Sequence, residues 1–147
     1  MAQRLSSNDL RYMRYAALVY FVGIVVHTAD HFRRGTDVIT SQVLWLGYFG
    51  FAAAALGFVL ILIRHPLAPL VGVVVGFSVA LGVSAVHLLP HWSAFSDAFP
   101  GSSGTGVTAT SYAVVLLEIA GAVALGITGL SAWRRQNDSG PLEGATS

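Results

Sequence analysis

The sequence predicts an all-α integral membrane fold: an antiparallel bundle of four transmembrane helices. Three observations predict it. Hydrophobic residues fill 54% of the 147 positions and charged residues only 10%, against about 25% charge in an ordinary soluble domain. The mean hydropathy of +0.68 agrees with a surface that faces lipid. The apolar residues are also gathered into four stretches, each close to the ~20 residues that cross a bilayer. One domain over residues 1–135 is expected, followed by a tail over 136–147.

The first ten residues are polar, and Asn8-Asp9 can cap and charge-complement a helix that starts near Leu10. The first span then runs from about Tyr12 to His31, with Arg11 and Arg14 snorkelling at its start. A basic start before an apolar middle also describes a signal peptide. No Ala-x-Ala-like site precedes the ionisable His27-Thr28-Ala29-Asp30-His31 end, so a retained first helix is expected.

The second span, Val43–Ile63, is uncharged. Arg64-His65-Pro66 is a tight turn, which makes the second and third helices antiparallel neighbours. The third span, Leu67–Leu89, is closed by Pro90. The connection over residues 91–108 begins with Trp92, Phe95 and Phe99 at i, i+3 and i+7. That spacing predicts a short interfacial helix. The fourth span, Ala109–Trp133, is broken only by Glu118. The tail from Gln136 to Ser147 has turn chemistry and is expected to be disordered.

Every cation other than histidine is arginine. Arg4, Arg11, Arg14, Arg64, Arg134 and Arg135 fall on one side of the predicted topology, Arg33 and Arg34 on the other. The positive-inside rule then predicts a cell-membrane protein with both termini and the Arg64 turn in the cytoplasm. His27, Asp30, His31, His87 and His91 gather at the opposite end.

Helical periodicity puts these residues on packing faces. Ala16, Tyr20, Gly23, His27, Asp30 and His31 share one face of the first helix. Gly72, Gly76, Ala80 and Ser84 form a ridge on the third that His87 and His91 continue, and Ser111, Glu118, Gly121, Ala122 and Gly129 share a face of the fourth. On the second, Gly47, Gly50, Ala54 and Gly57 do so without an ionisable group. Small residues let membrane helices approach closely. Gly72-x-x-x-Gly76 also matches a helix-pairing pattern that could join a homo-oligomer or a larger membrane complex; packing within the bundle is the expected use.

Net charge of +1 gives no basic stripe for nucleic acid, and the absence of cysteine excludes disulfides, thiolate sites and cysteine nucleophiles. The donors left are imidazole and carboxylate. Histidines four apart present both rings to one ion. Two such pairs, His27/His31 and His87/His91, with Asp30 and Glu118, offer up to six donors for zinc, iron, manganese or copper(II). The carboxylates serve as ligands or orient histidine N–H groups, and Glu118 is also a candidate proton carrier. A b-type haem between His27 and His87 is the alternative cofactor. It leaves the i+4 partners unused, so the pattern fits an ion better. The bland alternative has His31 and His91 solvating helix ends, His27 and His87 making interhelical hydrogen bonds, and the chain serving as an accessory subunit. His65 stands apart in the Arg64 turn. No phosphate loop, dinucleotide fingerprint or serine elbow is present. The function classes left are a metal-dependent membrane enzyme, a metal-handling protein, a haem electron carrier and a structural subunit.

Overall fold

The computed structural model describes residues 5–138. Four long helices fill it: α1 Ser7–Arg34, α2 Ser41–Leu62, α3 Ala68–His87 and α4 Ala109–Asp138, with a short 3-10 turn at Thr36–Val38 between α1 and α2. Among the described residues there is no strand. All four helices are long and apolar enough to cross a membrane.

The ends have local causes. The Ser6 hydroxyl accepts the Asp9 N–H at 3.1 Å, so α1 begins five residues before Tyr12. It runs on to Arg34 and stops at Gly35, whose φ of +94° a residue with a Cβ adopts only under strain. Thr40 caps α2 by accepting the Val43 N–H. Arg64 turns the chain in the left-handed region (φ +57°) before Pro69 enters the first turn of α3. At its far end α3 stops at His87, two residues short of Leu89. By contrast, α4 runs past Trp133 to Asp138. Gln136, Asn137 and Asp138 are therefore helical, not part of a disordered tail. Ala132 is packed in the core and Arg135 is bonded to Asp9 of α1, which anchors this last stretch. The expected disorder of 139–147 lies outside the described residues.

The centre of the fold is α4, which packs along both α1 and α3, while α2 is peripheral. Rising residue numbers on α1 meet falling numbers on α4: Asp9 faces Arg135, Tyr20 faces Gly121, Gly23 faces Glu118, and Arg33 faces Ser111. Backbones touch where the sequence placed small residues. A Cβ on Gly23 would lie 2.6 Å from Glu118 Cα, one on Gly121 2.6 Å from Tyr20 Cα, and one on Gly76 2.5 Å from both the Ala122 carbonyl and the Gly126 nitrogen. Gly72 and Gly76 are thus buried against α4 within the chain. On α2 Val43, Ala54, Gly57 and Ile61 are buried, whereas Gly47 and Gly50 meet nothing within 4 Å.

The connection after α3 departs from expectation. Residues 92–99 form no helix. The Asp97 N–H bonds the Val86 carbonyl at 3.0 Å and the Phe99 N–H bonds the His87 carbonyl at 2.9 Å. These donors satisfy the last carbonyls of α3 and lay the segment back over its end. Phe99 is consequently buried (2% exposed) while Phe95 is 46% exposed and Trp92 54%. The three rings do not share a face.

Candidate metal centre

Three histidines meet where α1 and α3 end. His27 and His31 stand one turn apart on α1, with ring centroids 4.6 Å apart, and the His87 ring lies 4.7 Å from His27 and 5.4 Å from His31. One ring nitrogen from each lies within 4.8 Å of the other two. His27 and His87 are buried and His31 is partly exposed. Three imidazoles so close on separate turns and helices can hold a metal ion.

The outer atoms of the rings are held from behind. Glu118 of α4 takes His27 Nδ1, and the close approach of Gly23 to Glu118 brings that carboxylate alongside. The opposite nitrogen of the ring, Nε2, is buried without a hydrogen-bond partner. His87 Nδ1 donates to the Asp97 carbonyl at 3.1 Å, which leaves its Nε2 as the lone-pair nitrogen. His31 Nδ1 accepts from Arg34 Nη2 at 2.9 Å.

Around them lies a network of charges. Arg34, its side chain fully buried, sends both Nη groups to Asp97: Nη1 to Oδ1 at 3.1 Å and Nη2 to Oδ2 more closely. Its cation also lies 5.2 Å from the Phe99 ring centroid. Asp30 accepts from Arg33 Nε at 2.9 Å; Arg34 Nε is 3.3 Å from Asp30 Oδ2, but out of line, so that contact is one of charge alone. Arg33 continues to the Gly106 carbonyl and the Ser111 hydroxyl, both at 3.0 Å, and ties α1 to the start of α4. Burial by itself would push the Asp97 carboxyl up. Hydrogen bonds from His87 and Arg34, with the charge of Arg34, outweigh it and hold the carboxyl well below the usual aspartate range.

The six residues singled out from the sequence are therefore placed unevenly. His27, His31 and His87 converge, and Glu118 stands behind His27. Asp30 faces Arg33 and Arg34. His91 is exposed and outside the histidine cluster, because α3 ends at His87 and the i,i+4 register is lost before residue 91. His65 is in the distant α2–α3 turn, where its Nδ1 accepts the Leu67 N–H. Comparison with protein-family models, with curated proteins and with solved structures finds no match to this chain.

Arg34 and Asp97 are the participants that sequence reasoning missed. Arg34 had a readable signal: seven residues after His27, it returns to the same helical face. Asp97 had only its singularity, as the sole acid between His91 and Thr108.

The charges of the network do not cancel. Glu118, Asp30 and Asp97 face two arginines, which leaves one net negative charge beside three imidazoles. Either a proton on the His27–Glu118 pair or a cation among the rings would balance it.

Proposed function

We propose that this chain is a four-span antiparallel membrane protein that binds one transition-metal ion through His27, His31 and His87 near the non-cytoplasmic face. The observation that carries the reading is the buried, unpartnered Nε2 of His27, whose opposite nitrogen is held by Glu118. A carboxylate behind an imidazole is the usual support of a metal-ligating histidine, since it fixes the tautomer and raises the basicity of the free nitrogen. A polar atom left bare in a dry site costs about 1–3 kcal/mol, and an ion among the rings removes that cost.

In this reading Glu118, the Asp97 carbonyl and Asp30 orient and balance charge, while the imidazoles ligate. His31 gives up its bond from Arg34, which keeps both of its bonds to Asp97. Three neutral nitrogen donors suit zinc, copper(II) or iron(II) and leave a coordination position for water or a small substrate. His31 is the partly exposed edge through which that position would be reached. The ion would supply a polarised water or an electrophilic centre; Glu118, as a carboxylate, would accept the Nδ1–H of His27 and so keep Nε2 free for the ion. Such a site serves either a metal-dependent membrane enzyme or a metal-handling protein.

The tight contacts of Gly23, Gly76 and Gly121 favour an ion over haem, because backbone fills the space a porphyrin would need. A second reading rests on the same charge balance: the His27–Glu118 pair carries a proton and no metal binds. Elemental analysis of the detergent-purified protein decides between them. One zinc, copper or iron per chain, lost in His27→Ala and His87→Ala but retained in His65→Ala, supports the metal centre. Sub-stoichiometric metal that is indifferent to His27→Ala overturns it in favour of the proton pair.

A further inference from the structure

At the opposite end of the molecule from the histidines, Arg11 and Arg14 of α1 and Arg64 of the α2–α3 turn line one groove of about 530 Å³, together with Ser7, Leu10 and Tyr15. Among the described residues no carboxylate lines it. The nearby acid, Asp9, is already bonded to Arg135 and Ser6. Arg11 lies over the Tyr12 ring, 5.4 Å from its centroid, and none of the three guanidinium groups makes a hydrogen bond or an ion pair among the described residues. Three guanidinium groups brought to one groove from two separate elements repel one another unless an anion joins them. The φ of +57° at Arg64 places the third beside the first two at the cost of a backbone conformation that a non-glycine residue rarely adopts.

We propose that this groove binds a phosphate group, carried by an anionic phospholipid of the adjoining leaflet. Guanidinium forks match phosphate oxygens in pairs, whereas a zwitterionic choline headgroup brings its own cation into a site that already holds three. The Ser7 hydroxyl adds a donor. Leu5, Leu10 and Tyr15 give the groove an apolar wall, against which the first carbons of an acyl chain would lie. Basic pockets between membrane helices take lipid headgroups in this way. The site is independent of the histidine cluster.

The test uses the full chain in a neutral detergent, with thermal unfolding followed during titration with short-chain phosphatidylglycerol, phosphatidylcholine of the same chain length, or inorganic phosphate. Phosphatidylglycerol should raise the unfolding temperature and phosphatidylcholine should not. Arg14→Gln and Arg64→Gln should each weaken the apparent affinity by about tenfold, the loss of one charge-assisted contact. Arg134→Gln, an exposed arginine outside the groove, should leave it unchanged. Arg64→Lys keeps the charge without the fork and should fall between, and it covers the case in which the glutamine variant does not fold. An equal, arginine-dependent response to inorganic phosphate supports the phosphate site and names the free anion as its source. Equal weakening by Arg134→Gln, or no response to either phosphate compound, overturns the proposal.

Discussion

Arg34, the last residue of α1, and Asp97, in the connection between α3 and α4, form a buried pair in which both Nη groups of the guanidinium reach the carboxylate. The pair joins two histidines that lie on different helices. Arg34 also donates to His31, and the backbone carbonyl of Asp97 receives His87. One ion pair therefore clamps the connection onto the cluster and sets the orientation of two of its three rings.

Breaking this pair should be costly because neither charge can reach water. Asp97→Asn leaves Arg34 buried with a neutral partner, and a loss of about 3–5 kcal/mol is expected for a buried pair broken on one side. Arg33→Gln should cost no more than about 1 kcal/mol, since the Arg33 side chain is 43% exposed and Asp30 keeps Arg34 nearby. Equilibrium unfolding in mixed detergent micelles compares the two. A similar, small cost for both would show that the clamp is not structural.

The same pair sets an acid limit. Because the folded state holds the Asp97 carboxyl below its ordinary value, the stability it contributes is present in full above the unfolded pKa of ~3.9. That contribution is lost as the pH falls from there through the lower folded value. The gap in unfolding temperature between wild type and Asp97→Asn should thus be constant near neutrality and should narrow below about pH 4. A gap that persists unchanged in acid would assign the effect to packing.

Most of the fold was legible because helices long and apolar enough to cross a membrane announce themselves in the sequence. The faces were legible too, since a glycine that meets a neighbouring backbone, as Gly23, Gly76 and Gly121 do, falls on the same periodic stripe as His27, His87 and Glu118. The site was legible only where its residues lie inside helices. His91 follows the end of α3, where the 3.6-residue period no longer applies, and Asp97 reaches the cluster through a non-periodic segment. The same limit explains Trp92, Phe95 and Phe99: their helical spacing was overridden by backbone bonds to the open end of α3.

Orientation in the membrane gives a prediction of its own. Arg11, Arg14 and Arg64 line one groove, and Arg135 meets Asp9 at the same end, so these four arginines gather at the end of the molecule away from the histidines. From the positive-inside rule, that end is predicted to face the cytoplasm. With single cysteines at the exposed positions Arg64 and Ser103, a membrane-impermeant maleimide added outside intact cells should label position 103 and leave 64 unlabelled. The reverse pattern would move the histidine cluster to the cytoplasmic face.

The close contact of Gly23 with Glu118 ties packing to the site. A Cβ at position 23 would meet Glu118 Cα at 2.6 Å and its nitrogen at 2.9 Å, and backbone atoms cannot swing aside as a flexible side chain can. Gly23→Ala must therefore push α1 away from α4, with an expected overpacking cost of about 1–3 kcal/mol. The displacement acts one turn before His27, so the bond from its Nδ1 to Glu118 lengthens and the ring loses its fixed tautomer. Loss of such a support typically lowers metal affinity about 10–100-fold. Gly47→Ala, on α2 with nothing within 4 Å, provides the control and should be neutral or slightly stabilising through its better helix propensity. Competition with a colorimetric zinc chelator, read beside the unfolding temperature of each variant, separates the two effects. If Gly23→Ala destabilises the chain yet binds zinc as tightly as wild type, the alignment of Glu118 with His27 is not what prepares the site.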